Sequence, residues 1–441
     1  MIKTSLKSYR KKTKKSSSLF KKSKKLHVNG VHHNIRFFEP YPFIVKASNG
    51  KFLVDVDSNK YVDYWMGHWS LILGHSPKDV KTNVRMQLEN GWMHGTASKN
   101  SIELSETISK AVPVAEKIRY ASTGTEATMY AIRLARTATK RKTIAKIDGG
   151  WHGYTTDLLK TVNWPFSKSE SNGLIDEKYI ISLPFNDLES SIKILKSKKN
   201  DLAAVIIEPV LGGGGSIPAT KDYLLGIEEF CHKNNSLFIL DEIVTGFRFR
   251  YGCLYETMKL DPDIVTLGKI VGGGFPIGII SGKNEFMNYA NTSKFSKSGR
   301  AYIGGGTFSA NPLSMIAGNS TLGTIKKKGD KFYQKLNGFG SETRKMLDKK
   351  FAGSVITTGM GSLFLTHFLS TKVHEINNAA DVAKCDIKKL HDYHFHMIAN
   401  NGIFFLPGKL GAFSDAHTKS DIKTIAKSTD QFLTTFKNKV T

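Results

Sequence analysis

Three short segments carry residue types that can do chemistry, and each stands where an apolar run ends. In Thr266-Leu267-Gly268-Lys269, followed by Ile270-Val271-Gly272-Gly273-Gly274, a lysine closes such a run beside a flexible glycine loop. Loss of water around an amine favours its neutral form, which can attack an aldehyde and hold it as an imine. With 64 Lys and Arg in the chain, position is what singles out Lys269. In Leu237-Phe238-Ile239-Leu240-Asp241-Glu242 a carboxylate follows an apolar run. A cationic partner offsets its lost hydration, and a protonated pyridine nitrogen is such a partner. Read singly, Asp241 could equally cap the next turn. In Ile118-Arg119-Tyr120-Ala121-Ser122-Thr123-Gly124-Thr125-Glu126-Ala127 an apolar run passes through a hydroxyl and glycine turn into a helix with Ala127, Ala131, Leu134, Ala135 and Ala138 on one stripe. Backbone N–H groups at that helix start, with Gly124 allowing close approach, suit a phosphate, although Ser and Thr there also serve as simple N-caps.

The elements that must position these residues follow from the periodicity. Tyr41–Val45, Phe52–Val56 and Tyr61–Trp65 read as strands of a small antiparallel meander, with Asn49-Gly50 as hairpin chemistry. From about residue 76, helices alternate with the short apolar runs Lys117–Ala121, Thr143–Ile147, Ala203–Ile207, Leu237–Leu240 and Ile264–Leu267. Such alternation predicts an α/β architecture with a mostly parallel sheet, whose strand carboxyl ends are where ligands bind. Beyond about residue 320, Lys-rich amphipathic segments with runs at Ser354–Thr358, Gly361–Phe368 and Ile403–Leu406 predict a separate, smaller α+β domain.

The three segments together meet the needs of pyridoxal phosphate (PLP): a phosphate cradle, an acid to keep the ring nitrogen protonated, and a lysine to hold the aldehyde carbon. In order and spacing, Ser122-Thr123-Gly124-Thr125-Glu126-Ala127-Thr128-Met129, Asp241-Glu242-Ile243-Val244-Thr245-Gly246-Phe247-Arg248 and Leu267-Gly268-Lys269 resemble the class III aminotransferases, in particular the glutamate-1-semialdehyde 2,1-aminomutase branch, over roughly residues 28–435. The resemblance implies the PLP-dependent fold type I, with a seven-stranded sheet in the large domain. It implies Gly124 and Thr125 on the phosphate, Trp151 stacked on the ring with His152 behind it, Ile243 against the other face, Asp241 on the pyridine nitrogen and Lys269 on the aldehyde carbon. Gly306 and Thr307, within Gly305-Gly306-Thr307-Phe308-Ser309, match the segment that reaches the phosphate of a neighbouring subunit, which implies a homodimer with shared sites. Arg36, in Gly30-Val31-His32-His33-Asn34-Ile35-Arg36, matches the arginine that takes the substrate carboxylate. Amino acids and keto or aldehyde compounds are the implied substrates.

The departures from the aminomutase pattern cluster around the substrate. His33 stands where that branch has a small hydroxyl, Gly213 replaces a polar side chain, Thr161–Ile181 is shorter than the gating loop, and the run Leu406–Phe413 lacks an acidic residue. They argue for amino transfer in two half-reactions over transfer within one molecule, the latter staying as the alternative.

Composition bounds the rest. The 441 residues exceed one ordinary core, and the expected division is a basic disordered arm at 1–27, an N-terminal segment at 28–75, the PLP-binding domain at 76–320 and a small domain at 321–441. Residues 1–25 hold eleven Lys or Arg and no acid, out of a net charge of +26. The run Lys11-Lys12-Thr13-Lys14-Lys15 has no interleaved aromatic residue for base stacking, so a solvated arm is expected and nucleic acid is not. No apolar stretch reaches eighteen residues, so no membrane span is expected. Cys231, Cys253 and Cys385 lie far apart without a paired motif, which suits a reducing, cytoplasmic setting. His391, His394 and His396 lack the spacing of a zinc helix, and no metal is expected.

Overall fold

The computed structural model describes residues 3–166 and 177–437. They divide into two compact units, one of Lys78–Gln334 with Ile376–Ala383, the other of Met1–Pro77, Lys335–Glu375 and Lys384–Thr441.

The larger unit is built on a seven-stranded sheet in the order Lys117–Ala121, Gly278–Gly282, Ile264–Gly268, Leu237–Asp241, Leu202–Ile207, Thr143–Ile147, Ile180–Leu183. The last five of these run parallel to one another, and Gly278–Gly282 is antiparallel to both its neighbours. Every residue of the five inner strands is buried, as expected of a sheet covered on both faces. Gly278–Gly282 is a strand that periodicity misses, because it follows a glycine loop and begins with glycine itself. A Cβ at Gly278 would stand 1.9 Å from Thr123 O, so the strand can lie against the Ser122–Gly124 turn only without a side chain there. The helix Gly124–Thr139 starts from a capping box between Thr123 and Glu126, and its stripe of Ala127, Ala131, Leu134 and Ala135 is buried.

In the smaller unit a four-stranded sheet joins Val45–Asn49, Phe52–Asp55, Lys60–Asp63 and Ile403–Phe404, and a three-stranded one joins Val355–Thr358, Leu363–Phe368 and Gly411–Ala412. Two expectations need correction. The N-terminal meander and the C-terminal segment are not separate bodies, because Ile403–Phe404 pairs in parallel with Lys60–Asp63 and closes them into one unit. The first strand begins at Val45 and not at Tyr41, because Tyr41 and Phe43 serve as core plugs: the Phe43 ring stacks on Tyr61 at 4.2 Å.

The expected disordered arm is also corrected. Its described residues form the helices Lys3–Lys12 and Lys14–Ser23. Ser5, Tyr9, Thr13, Ser16 and Phe20 recur at helical spacing and are buried, which leaves the basic residues on the outside. Tyr9 Oη donates to Tyr41 O at 2.8 Å, and Asp57 accepts from the Lys15 and Ser16 N–H groups at 2.6 and 2.8 Å, capping the second helix. No helix among the described residues is long and apolar enough to cross a membrane.

Candidate active site

In the larger unit the strands Lys117–Ala121, Thr143–Ile147, Leu202–Ile207, Leu237–Asp241 and Ile264–Gly268 all end at one edge of the sheet, and the residues that follow those ends form the site. Ile243 joins the three sequence segments. A Cβ on Gly124 would come within 2.7 Å of Ile243 Cδ1, and one on Gly268 within 3.3 Å of Ile243 Cγ2. Glycine at 124 therefore makes room for Ile243 between the helix start and the lysine strand.

Asp241 ends its strand fully buried and opposite Thr266. Its Oδ2 lies 2.7 Å from His152 Nδ1, and its Oδ1 accepts from Thr266 Oγ1 and the Ile243 N–H, both at 3.1 Å. The other ring nitrogen of His152, Nε2, is buried with no hydrogen-bond partner among the described residues. Lys269 follows Gly268 with φ of 46°, a left-handed conformation that costs a non-glycine residue on the order of 1–3 kcal/mol. Burial pulls its amine below the usual lysine range and Arg248 adds to this, while Asp241 and Glu208 oppose it. Its amine thus sits close to a buried carboxylate.

The loop after Thr143–Ile147 crosses the start of the helix Gly124–Thr139. Thr128 Oγ1 donates to His152 O at 2.6 Å, and the Tyr154 N–H donates to Thr125 Oγ1 at 3.3 Å. Gly153, at φ of 92°, lies so close that a Cβ would stand 2.6 Å from Thr125 Cα. Trp151 meets Tyr154 edge to face at 4.7 Å, and its N–H donates to Glu208 Oε1 at 2.9 Å. Gly306 and Thr307 are exposed and lie by the same helix: Tyr130 Oη donates to Gly305 O, and a Cβ on Gly306 would stand 3.4 Å from Glu126 Oε1.

Gly124, Thr125, Trp151, His152, Asp241, Ile243, Lys269, Gly306 and Thr307 thus all belong to the larger unit. Arg36 belongs to the smaller one, exposed at the end of the turn Asn34–Arg36, with His33 accepting from the Ile35 N–H. Part of the shortened segment Thr161–Ile181 lies outside the described residues. His394 and His396 are buried in the smaller unit, where burial lowers their rings to about 3 and about 4. Sequence reasoning passed over Glu208, whose carboxylate is buried, raised by that burial, and shared between the Trp151 and Gly212 N–H groups. Its signal was the same one that marked Asp241, a carboxylate directly after an apolar strand.

These residues fit PLP. The unpartnered His152 nitrogen behind a buried Asp241, the buried amine of Lys269 and the glycine-lined helix start are what a cationic ring nitrogen, an aldehyde and a phosphate require.

Relatives bear on the same point. The chain is 36% identical over 403 residues to a glutamate-1-semialdehyde 2,1-aminomutase of Methanococcus maripaludis, covering 90% of this chain and 91% of that protein. It is 38% identical over 416 residues to one of Thermoplasma volcanium, covering 92% and 96%. Among solved structures, a transaminase with PLP bound superimposes with a TM-score of 0.85 at 27% identity, covering 96% of this chain and 98% of that one. An omega-transaminase from Sphaerobacter thermophilus gives 0.84 at 26% identity, covering 94% and 96%. The sequence pattern described as Aminotransferase class-III matches residues 37–389, so the chain belongs to that family and is a PLP-dependent enzyme of fold type I.

Proposed function

We propose that the enzyme moves an amino group from an amino acid to a separate keto or aldehyde acceptor, in two half-reactions at one site. The observation that carries the amino-transfer reading is the meeting, through Ile243, of the Gly124 turn, Asp241 and Lys269 at one edge of the sheet. Bound PLP supplies an electron sink for the bond that breaks at the amino-bearing carbon. Gly124 and Thr125 hold the phosphate, Trp151 and Ile243 flank the ring, and Asp241, oriented by His152, keeps the ring nitrogen protonated. Lys269 holds the cofactor between turnovers, then uses Nζ to take a proton from the substrate carbon and to return it. Thr307 of a second copy completes the phosphate site, so the working enzyme is a homodimer; exposed Tyr302 and Phe308 beside it support that assembly.

The preference for a separate acceptor rests on Gly213. A Cβ there would stand an ordinary 3.4 Å from Trp151 Cβ, so the fold does not demand glycine, and the missing polar side chain marks a changed substrate side. A second reading, transfer within glutamate 1-semialdehyde, is favoured by the names of the relatives. An absorbance scan separates the two. Addition of PLP should produce a visible band, and an amino acid should bleach it with release of a keto acid. Turnover of glutamate 1-semialdehyde with no second substrate would establish the aminomutase instead.

A further inference from the structure

Lys146 is a charged residue inside an otherwise apolar strand, Thr143–Ile147, and is 0% exposed. A buried ammonium is costly unless its hydrogen bonds are met. Its Nζ donates to Gly150 O at 3.0 Å and to Lys160 O at 2.5 Å. Those carbonyls lie at the two ends of one loop, the loop that carries Trp151, His152 and Gly153. Within it the Trp151 N–H is held by Glu208 and the His152 ring by Asp241. The three anchors lie on adjoining strands and differ in what they fix: Glu208 the backbone of Trp151, Asp241 the ring of His152, and Lys146 the closure of the loop itself. Burial draws the Lys146 amine down to about 8, with Asp148, Glu208 and Glu177 opposing.

We propose that Lys146 is a positioning residue that holds the Gly150–Lys160 loop closed, so that Trp151 and His152 are in place before the cofactor arrives. The clamp stands on its own geometry; its effect on the reaction rests on the roles proposed for Trp151 and His152. A merely structural lysine would lower global stability when replaced and leave the loop no looser than its surroundings. A clamp loosens the loop first.

Hydrogen exchange on the full-length protein without PLP reads this directly. In the unaltered protein the Gly149–Trp151 amides should be protected nearly as well as the helix Gly124–Thr139. In Lys146→Met they should exchange at least tenfold faster while that helix is unchanged. With PLP added, the variant should release cofactor at least tenfold faster, with a weaker visible circular dichroism band, and Lys146→Arg should recover part of both. Free exchange of these amides in the unaltered protein would overturn the proposal even if the Met variant fails to fold. So would a loosened loop with unchanged cofactor release and dichroism. Turnover surviving in Lys269→Ala would instead overturn the reading of the site and leave the exchange result standing.

Discussion

In the proposed reaction Lys269 and Asp241 divide the work at the residue scale, and their environments set the division. Burial pulls the lysine amine below its usual range, whereas the aspartate is held by two donors and a histidine. On the proposed reading, replacing Lys269 with Ala removes both the attachment and the proton carrier. Turnover should fall by at least ~10²–10⁴, the usual worth of a positioned acid or base. Purified Lys269→Ala should still take up PLP, but gel filtration should strip it more readily. Asp241→Asn keeps the shape and removes the charge. A charged hydrogen bond is worth about 1.5–3 kcal/mol, so cofactor affinity should drop roughly tenfold to a hundredfold, read by titrating the visible band. An unchanged affinity would mean that Asp241 faces something other than a cation.

At the scale of elements, the site depends on close approaches between a helix start, a strand end and a turn. Gly124→Ala would drive a methyl into Ile243, which must then move off the helix start. If Ile243 flanks the ring as proposed, PLP should bind at least tenfold more weakly while thermal stability changes by about 1–3 kcal/mol, the usual cost of overpacking. The turn after Asp241 hangs on Glu242, whose buried carboxylate accepts from Thr245 Oγ1 at 2.6 Å and from the Tyr255 N–H at 3.0 Å. Burial pushes this carboxyl up to about 7, with Asp241 adding to the rise and the hydrogen bonds opposing it. A carboxyl raised in the fold binds its proton more tightly there than in the unfolded chain. The stability it lends is complete below the ordinary carboxylate range and is lost as pH climbs through about 7, on the order of 3 kcal/mol in all. Glu242→Gln should lack that loss, so denaturation midpoints at pH 5 and pH 8 should lie closer together than in the parent. Parallel shifts in the two proteins would refute it. Much of this scale was legible in sequence: the parallel strands, the helix start and the residues at strand ends all carry one-dimensional signals. Gly278–Gly282 did not, because it follows a glycine loop and begins with glycine, and one of its two partners, Lys117–Ala121, lies far away in the chain. Lys146 was hidden too, because its role depends on a loop whose two ends meet it only in the fold, whereas Glu208 carried the same signal as Asp241.

The whole molecule differs most from its sequence at the N-terminus, where eleven basic residues and no acid within the first 25 read as a solvated arm. Charge dominated that reading because the apolar signal is thin: in Lys3–Ser23, Tyr9 and Phe20 are the large residues of a stripe otherwise made of Ser and Thr. Both rings are nonetheless buried, Tyr9 against Phe38, Tyr41 and Phe395, and Phe20 against Phe37 and Tyr41. Ser8 Oγ and Lys12 Nζ both donate to Ala399 O, and Asn400 donates to Ser5, so the segment is tied to the helix Ile387–Asn401. The N-terminal helices and the helix Ile387–Asn401 therefore share one core, and removing the first should be felt by the second. A mobile arm could be deleted without cost. Deletion of residues 1–25 should instead strip two aromatic plugs, each worth about 3–5 kcal/mol when truncated in a core. It should also leave Tyr41 and Phe395 facing water. The expected result is a markedly lower melting temperature, with protease cutting first in the smaller unit. Tyr9→Ala alone should give a smaller shift in the same direction without altering the surface charge. A deletion that melts like the parent would show that the helices add nothing to that core, and would return the segment to the solvated arm its charge suggests.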